Sequence, residues 1–81
     1  MRDVIKQRLQ LVRNNLTNWG VDAILVGSDS NRRWLTGFTG SAGWVLITRE
    51  AAILATDFRY WQQAETQAPE FNLFKLHRTA G

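Results

Sequence analysis

Cysteine is absent from the 81 residues, and histidine, methionine, proline and tyrosine occur once each. Without cysteine there is neither a disulfide framework nor a thiolate metal site. A small domain with no disulfide to stiffen it is expected in a reducing, cytoplasmic compartment. A single histidine, His77, cannot supply the converging imidazoles and carboxylates that metal hydrolysis requires. The acidic residues Asp3, Asp22, Asp29, Glu50, Asp57, Glu65 and Glu70 fall in separate stretches, and no H-E-x-x-H spacing occurs. Ser28, Ser30 and Ser41 have no second histidine to choose from, and Ser41 lacks the strand-to-helix elbow of a serine nucleophile. No complete catalytic or metal set is therefore legible in this chain. No apolar run approaches the ~20 residues of a membrane span, and Met1-Arg2-Asp3 leads into an amphipathic pattern instead of a signal core. A soluble domain with no membrane partner is expected.

The formal net charge of +3 raises the question of nucleic acid, and the distribution of charge answers it. Arg2, Lys6, Arg8 and Arg13 lie in the first apolar-periodic stretch, while Arg32, Arg33, Arg49, Arg59, Lys75 and Arg78 are scattered among seven acidic residues. A nucleic-acid footprint needs its cations on one face with aromatics interleaved. Only Arg32-Arg33-Trp34 approaches that, and it reads as a solvated loop, so no nucleic-acid partner is expected.

What is present is a regular alternation of elements. Ile5, Leu9, Val12, Leu16 and Trp19 recur at steps of four and three, which predicts a surface helix from Asp3 to Trp19, with Asp3 capping its start and Gly20 ending it. Val21 to Val26 reads as a buried strand. The polar residues Ser28 to Asn31 form a turn that opens a short helical segment through Leu35, with Asn31 as its cap. Trp44–Thr48 and Ala51–Thr56 predict an antiparallel hairpin; Arg49-Glu50 lacks the glycine or asparagine of a two-residue turn, so a longer connection is expected. Asp57 is placed as N-cap of a second helix from Phe58 to about Gln67, stopped by Pro69, and Phe71 to His77 as a last strand. The fold class is α/β, a small mixed-sheet domain with two main flanking helices. At this length it buries only about 60 to 65% of its unfolded surface, so its stability margin is thin.

The run Asn31-Arg32-Arg33-Trp34-Leu35-Thr36-Gly37-Phe38-Thr39-Gly40-Ser41-Ala42-Gly43 stands out, with glycines three apart and an aromatic beside each of the outer two. Glycine permits positive φ and close backbone approach. Trp34, Phe38 and Trp44 are expected to pin this loop, and Gly40 to need glycine torsions. Neither a dinucleotide fingerprint nor a P-loop fits, because the spacing is wrong, no lysine follows, and a strand comes next instead of a helix.

Trp34-Leu35-Thr36-Gly37-Phe38-Thr39-Gly40-Ser41-Ala42-Gly43, followed by Thr56-Asp57-Phe58-Arg59-Tyr60 and Gln62-Gln63-Ala64-Glu65, closely resembles the N-terminal domain of Xaa-Pro aminopeptidases and prolidases, the creatinase/aminopeptidase P group of metallopeptidases. Phe58 departs from the pattern, which usually has glycine between the aspartate and the arginine. The resemblance implies a ribonuclease-H-like domain over residues 1–81, truncated with respect to the family domain. It implies no catalytic or metal residue here: two aspartates, a histidine and two glutamates hold two divalent ions, commonly manganese, in a C-terminal pita-bread catalytic domain that this chain lacks. It further implies a homodimer in the full-length protein and proline-containing peptides as substrates. It also assigns Arg59 a substrate contact in the neighbouring subunit's site. Read from the residues alone, Arg59 could equally pair with Asp57 or Glu50, or be solvated. The expected function is that of a non-catalytic N-terminal domain of a proline-specific metallopeptidase, serving dimerisation and substrate access. The alternatives are an interaction module of an inactive relative and, less favoured, a small basic nucleic-acid-binding domain.

Overall fold

The computed structural model describes residues 2–77. Arg78 to Gly81, where the sequence predicts no closing helix, lie outside the described residues. The elements run α1 (Arg2–Trp19), β1 (Ala23–Val26), α2 (Asp29–Thr36), β2 (Trp44–Thr48), β3 (Ala52–Asp57), α3 (Trp61–Gln67) and β4 (Asn72–Leu76). The strands form one sheet in the order β1-β2-β3-β4. Pairing is antiparallel for β1 with β2 and for β2 with β3, and parallel for β3 with β4, so the sheet is mixed. This is the expected α/β class.

The helical stripe folds as its period requires. Ile5, Leu9, Val12 and Leu16 are all buried, and each such side chain contributes roughly 1.5–3 kcal/mol by leaving water. Trp19, the expected fifth member, is 55% exposed instead. It is the last helical residue, and the chain turns away directly behind it through Gly20, at φ 69°, with the Val21 amide closing back onto the Leu16 carbonyl at 3.0 Å. On the sheet, the register pairs Val45 with Leu54 and Ile47 with Ala52, and these four buried side chains share one face. Leu35, Phe38, Ala64, Ala68 and Phe71 complete the same core. The opposite face carries Leu25, Trp44 and Phe74, all exposed.

Three local expectations are corrected. α2 is a full helix, so there are three helices among the described residues, and its cap is Ser28, whose Oγ accepts from the Asn31 amide at 3.4 Å. Asn31 lies one turn inside. Asp57 is not a helix cap: it is the last residue of β3, and α3 begins at Trp61, where Tyr60 caps without a side-chain bond. The hairpin, by contrast, has the longer connection expected, residues 49–51, held by Thr48 Oγ1 accepting from the amides of Glu50 at 3.2 Å and Ala51 at 2.8 Å.

Candidate site at the glycine loop and the Arg59 turn

The residue that shapes the glycine loop is one that composition disguises. Arg32, expected in a solvated loop, is 2% exposed. Its Nη1 donates to the carbonyls of Gly27 at 3.2 Å and Gly43 at 3.1 Å, and its Nη2 to the Gly40 carbonyl at 2.8 Å and to Asp29 Oδ1 at 2.6 Å. One planar guanidinium thus ties the end of β1, the start of α2 and both limbs of the loop. The signal was in the helical spacing: Arg32, Leu35 and Thr36 form the buried face of α2. Thr36 Oγ1 donates to the Arg32 carbonyl at 2.8 Å and accepts from the Phe38 amide at 2.9 Å, which carries the chain from helix into loop.

The glycines serve different ends. Gly37 caps α2 in the left-handed conformation, at φ 78°, with its amide on the Arg33 carbonyl at 2.8 Å. Gly40 has no positive φ, contrary to expectation; a Cβ there would lie 2.1 Å from Phe38 Cζ, so the requirement is close approach to a buried ring. Of the aromatics expected to pin the loop, only Phe38 does so. Trp34 is 43% exposed, with the Arg8 guanidinium 4.8 Å from its ring centroid, and Trp44 is 46% exposed.

The loop is latched to the turn after β3. Thr56 Oγ1 donates to the Ala42 carbonyl at 2.7 Å, and the Ser41 and Tyr60 hydroxyls share a hydrogen bond of 2.6 Å. The Tyr60 ring meets Phe38 edge-on at 5.9 Å. In the turn itself, the Tyr60 amide donates to the Asp57 carbonyl at 3.0 Å, and no non-glycine residue among those described has positive φ. A turn without positive φ does not require glycine, which is why Phe58 fits there, 65% exposed.

Asp57 is fully buried and grips Arg59 along one edge: Oδ1 accepts from Nε at 2.8 Å and from the Arg59 amide at 3.1 Å, and Oδ2 accepts from Nη2 at 2.8 Å. Of the two pairings left open for Arg59, Asp57 is the one realised, and the side chain is still 43% exposed. The side-chain hydrogen bonds that Arg59 donates to Asp57 raise its pKa above the usual value, opposed by desolvation and helped by the charges of Asp57 and Tyr60. The Arg59 Cζ lies 5.1 Å from the Tyr60 ring centroid. The fork has five N–H groups. With Nε and one Nη2 hydrogen engaged by Asp57, both Nη1 hydrogens and the second on Nη2 remain for an acceptor outside the described residues.

His77 packs its ring edge-on against Trp61 at 5.7 Å. No group of three or more histidine, aspartate or glutamate side chains among the described residues could hold a metal, so no chemical step through a metal follows from them. No helix among the described residues is long and apolar enough to cross a membrane. A cavity of about 400 Å³ lies between α3 and the β3–β4 pair, lined by Leu54, Ala64, Phe71 and Leu73, with no residue of the loop or the Arg59 turn in its wall.

Fold and site together define a small mixed-sheet α/β domain with a partly committed arginine at a strand end, where ligand crevices open in such sheets. The family follows from comparison. Residues 8–81 match the Creatinase/Prolidase N-terminal domain, and the chain belongs to that family. The uncharacterized peptidase YqhT of Bacillus subtilis (strain 168) is 41% identical over 68 residues, which are 84% of this chain and 19% of that protein. The crystal structure of an Xaa-Pro aminopeptidase from Streptococcus pyogenes superposes with a TM-score of 0.89 at 34% identity, covering 95% of this chain and 60% of that one. The N-terminal domain of the cytoplasmic peptidase PepQ from Mycobacterium tuberculosis H37Rv gives a TM-score of 0.83 at 35% identity, covering 90% and 58%. The chain thus spans about a fifth of the length of YqhT.

Proposed function

We propose that this chain is the non-catalytic N-terminal domain of a cytoplasmic Xaa-Pro peptidase. In this reading it is part of the N-terminal domain of a longer polypeptide, whose C-terminal domain holds two divalent metal ions, manganese being the expected pair, and carries out the hydrolysis. The domain takes part in a homodimer, and Arg59 reaches the proline-containing peptide bound in the partner subunit's site.

The observation that supports this most directly is the state of Arg59. A buried carboxylate fixes one edge of the guanidinium, while the other edge faces outward at the end of β3. A structural arginine would be expected to use its donors inward, as Arg32 does. A fork held rigidly with open donors is suited to a peptide carbonyl or carboxylate, since little orientation is left to be fixed on binding.

The test is Arg59→Ala in the full-length peptidase. The kcat/KM for an Xaa-Pro substrate is expected to fall by ~10 to 100-fold, the effect of one lost charge-assisted hydrogen bond. Unchanged kinetics in a folded dimer would remove Arg59 from the substrate. The 81-residue chain alone is expected to hydrolyse no Xaa-Pro peptide with manganese added.

A further inference from the structure

We infer that Tyr60 is a positioning residue for Arg59, and that the glycine loop acts on the proposed substrate contact through it: the loop holds the Tyr60 ring, and the ring holds the tilt of the guanidinium. This rests on the reading that Arg59 touches substrate.

Asp57 by itself leaves one motion of the guanidinium open. Its carboxylate meets the fork along a single edge, at Nε and Nη2, both at 2.8 Å. Contacts on one edge fix the fork within its own plane and leave it free to rock about that edge. Rocking matters because the outward N–H groups lie in the plane, and a hydrogen bond weakens steeply as its acceptor leaves the donor direction. The Tyr60 ring lies against one face of the fork, with Arg59 Cζ 5.1 Å from its centroid. That contact stops rocking toward the ring and draws the cation onto the π face. An arginine whose tilt is set beforehand has less orientation left to lose when a substrate arrives.

A ring sets a tilt only when it is itself held. At the backbone, the Tyr60 amide donates to the Asp57 carbonyl at 3.0 Å, and its carbonyl accepts from the Ala64 amide at 2.8 Å. At its edge, the ring meets the buried Phe38 ring at 5.9 Å and 83°. At its tip, the hydroxyl shares the 2.6 Å bond with Ser41. Ser41 in turn lies between Gly40 and Gly43, whose carbonyls accept from Arg32 at 2.8 Å and 3.1 Å. The glycine-rich run thereby gains a role beyond folding: an enclosed guanidinium pins the backbone on either side of the serine that anchors the ring. The Ser41–Tyr60 bond is exposed, so it is removable without opening the core.

The experiment is a double-mutant cycle on the full-length peptidase, reading kcat/KM for an Xaa-Pro substrate and the melting temperature of each variant. Tyr60→Leu keeps apolar bulk and removes both the π face and the hydroxyl; kcat/KM is expected to fall by ~2 to 5-fold, the size of one half-exposed cation–π contact. In the Arg59→Ala background the same substitution is expected to cost nothing further, because there is no guanidinium left to orient. A merely structural tyrosine would lower both backgrounds by one factor. Should Tyr60→Leu fail to fold, Tyr60→Phe runs the same cycle with the Phe38 contact in place: it frees the tip of the ring and is expected to lose ~2-fold with Arg59 present and nothing without it, and Ser41→Ala should match it. A loss by the same factor in both backgrounds, or no loss from the folded Tyr60 variants while Arg59→Ala still lowers kcat/KM, overturns the inference and leaves the substrate contact standing. No loss from Arg59→Ala removes the contact, and the inference with it.

Discussion

Arg32 offers the sharpest test of how this fold holds together. Replacing it with methionine keeps much of the apolar stem and removes four hydrogen bonds. The bond to Asp29 contributes little, because that carboxylate is 66% exposed and an exposed pair is worth about 0–1 kcal/mol. The carbonyls decide the matter. Those of Gly40 and Gly43 meet Arg32 in buried bonds, and each buried acceptor stranded without a donor costs about 1–3 kcal/mol. The released desolvation of the guanidinium, whose Nε finds no partner even now, offsets part of this. A net loss of ~3 kcal/mol is expected, against a total stability of roughly 4–12 kcal/mol for a chain this long. At ~4–8 °C per kcal/mol, the melting temperature should fall by roughly 12–24 °C. Urea unfolding followed by tryptophan fluorescence would measure the loss directly, with the slope against urea unchanged. Arg32→Lys should recover less than half of it, because an ammonium group cannot bridge carbonyls set around a planar fork. A methionine variant within ~0.5 kcal/mol of wild type, or full rescue by lysine, would refute the claim that the fork holds the loop.

Further outcomes are expected. Gly40→Ala should destabilise by about 1–3 kcal/mol through the Phe38 ring, and pairing it with Phe38→Leu should recover part of that loss in the same unfolding assay, which a torsional requirement at Gly40 would not allow. Tyr60→Phe removes the hydroxyl latch on Ser41 at an exposed site and should cost about 0.5–1.5 kcal/mol, while the contact with Phe38 survives; a loss as large as that of Arg32→Met would show that the latch was misjudged. The raised pKa of Arg59 implies a contribution fully present below its usual value and lost only as pH climbs through the higher one. The difference in melting temperature between wild type and Arg59→Gln should therefore be flat from about pH 6 to pH 9, and a slope in that window would assign the titration to another group.

Much of the architecture was legible because it depends on repeated choices. The α1 stripe, the hairpin and the mixed sheet each rest on several residues that agree in period, so one dissenting residue such as Trp19 does not alter the element. Single residues with one decisive partner were not legible. The sequence marks Asp57 as a carboxylate that binds an amide just beyond a strand, and it does accept from the Arg59 amide. Whether that makes a helix cap or a turn depends on where β3 stops, and the cross-strand register extends β3 through Asp57 opposite Leu76. The burial of Arg32 is hidden in the sequence for a related reason. Its neighbours in sequence are polar, and the carbonyls that bury it come from Gly27, Gly40 and Gly43, which only the folded chain brings together.

The two arginines show why residue type alone could not assign the site. Both have an aspartate within three residues and both bind it closely, at 2.6 Å for Arg32 and 2.8 Å for Arg59. They differ in which member of the pair is buried. Around Arg32 the guanidinium is enclosed and the carboxylate exposed, so the cation must find its acceptors inside the protein, and it finds three backbone carbonyls. Around Arg59 the carboxylate is enclosed and the guanidinium half out, so the anion is satisfied from within and the cation keeps donors for something outside. The first arrangement fixes a loop; the second leaves an outward edge of the guanidinium exposed. They are connected, because the loop that Arg32 fixes places Ser41 against Tyr60, and Tyr60 lies beneath the Arg59 guanidinium. Loosening Arg32 should therefore blur the orientation of Arg59 without touching it. Under the proposed substrate contact, Arg32→Lys in the full-length protein is expected to weaken the Arg59-dependent part of kcat/KM, and to add nothing further once Arg59 is already alanine.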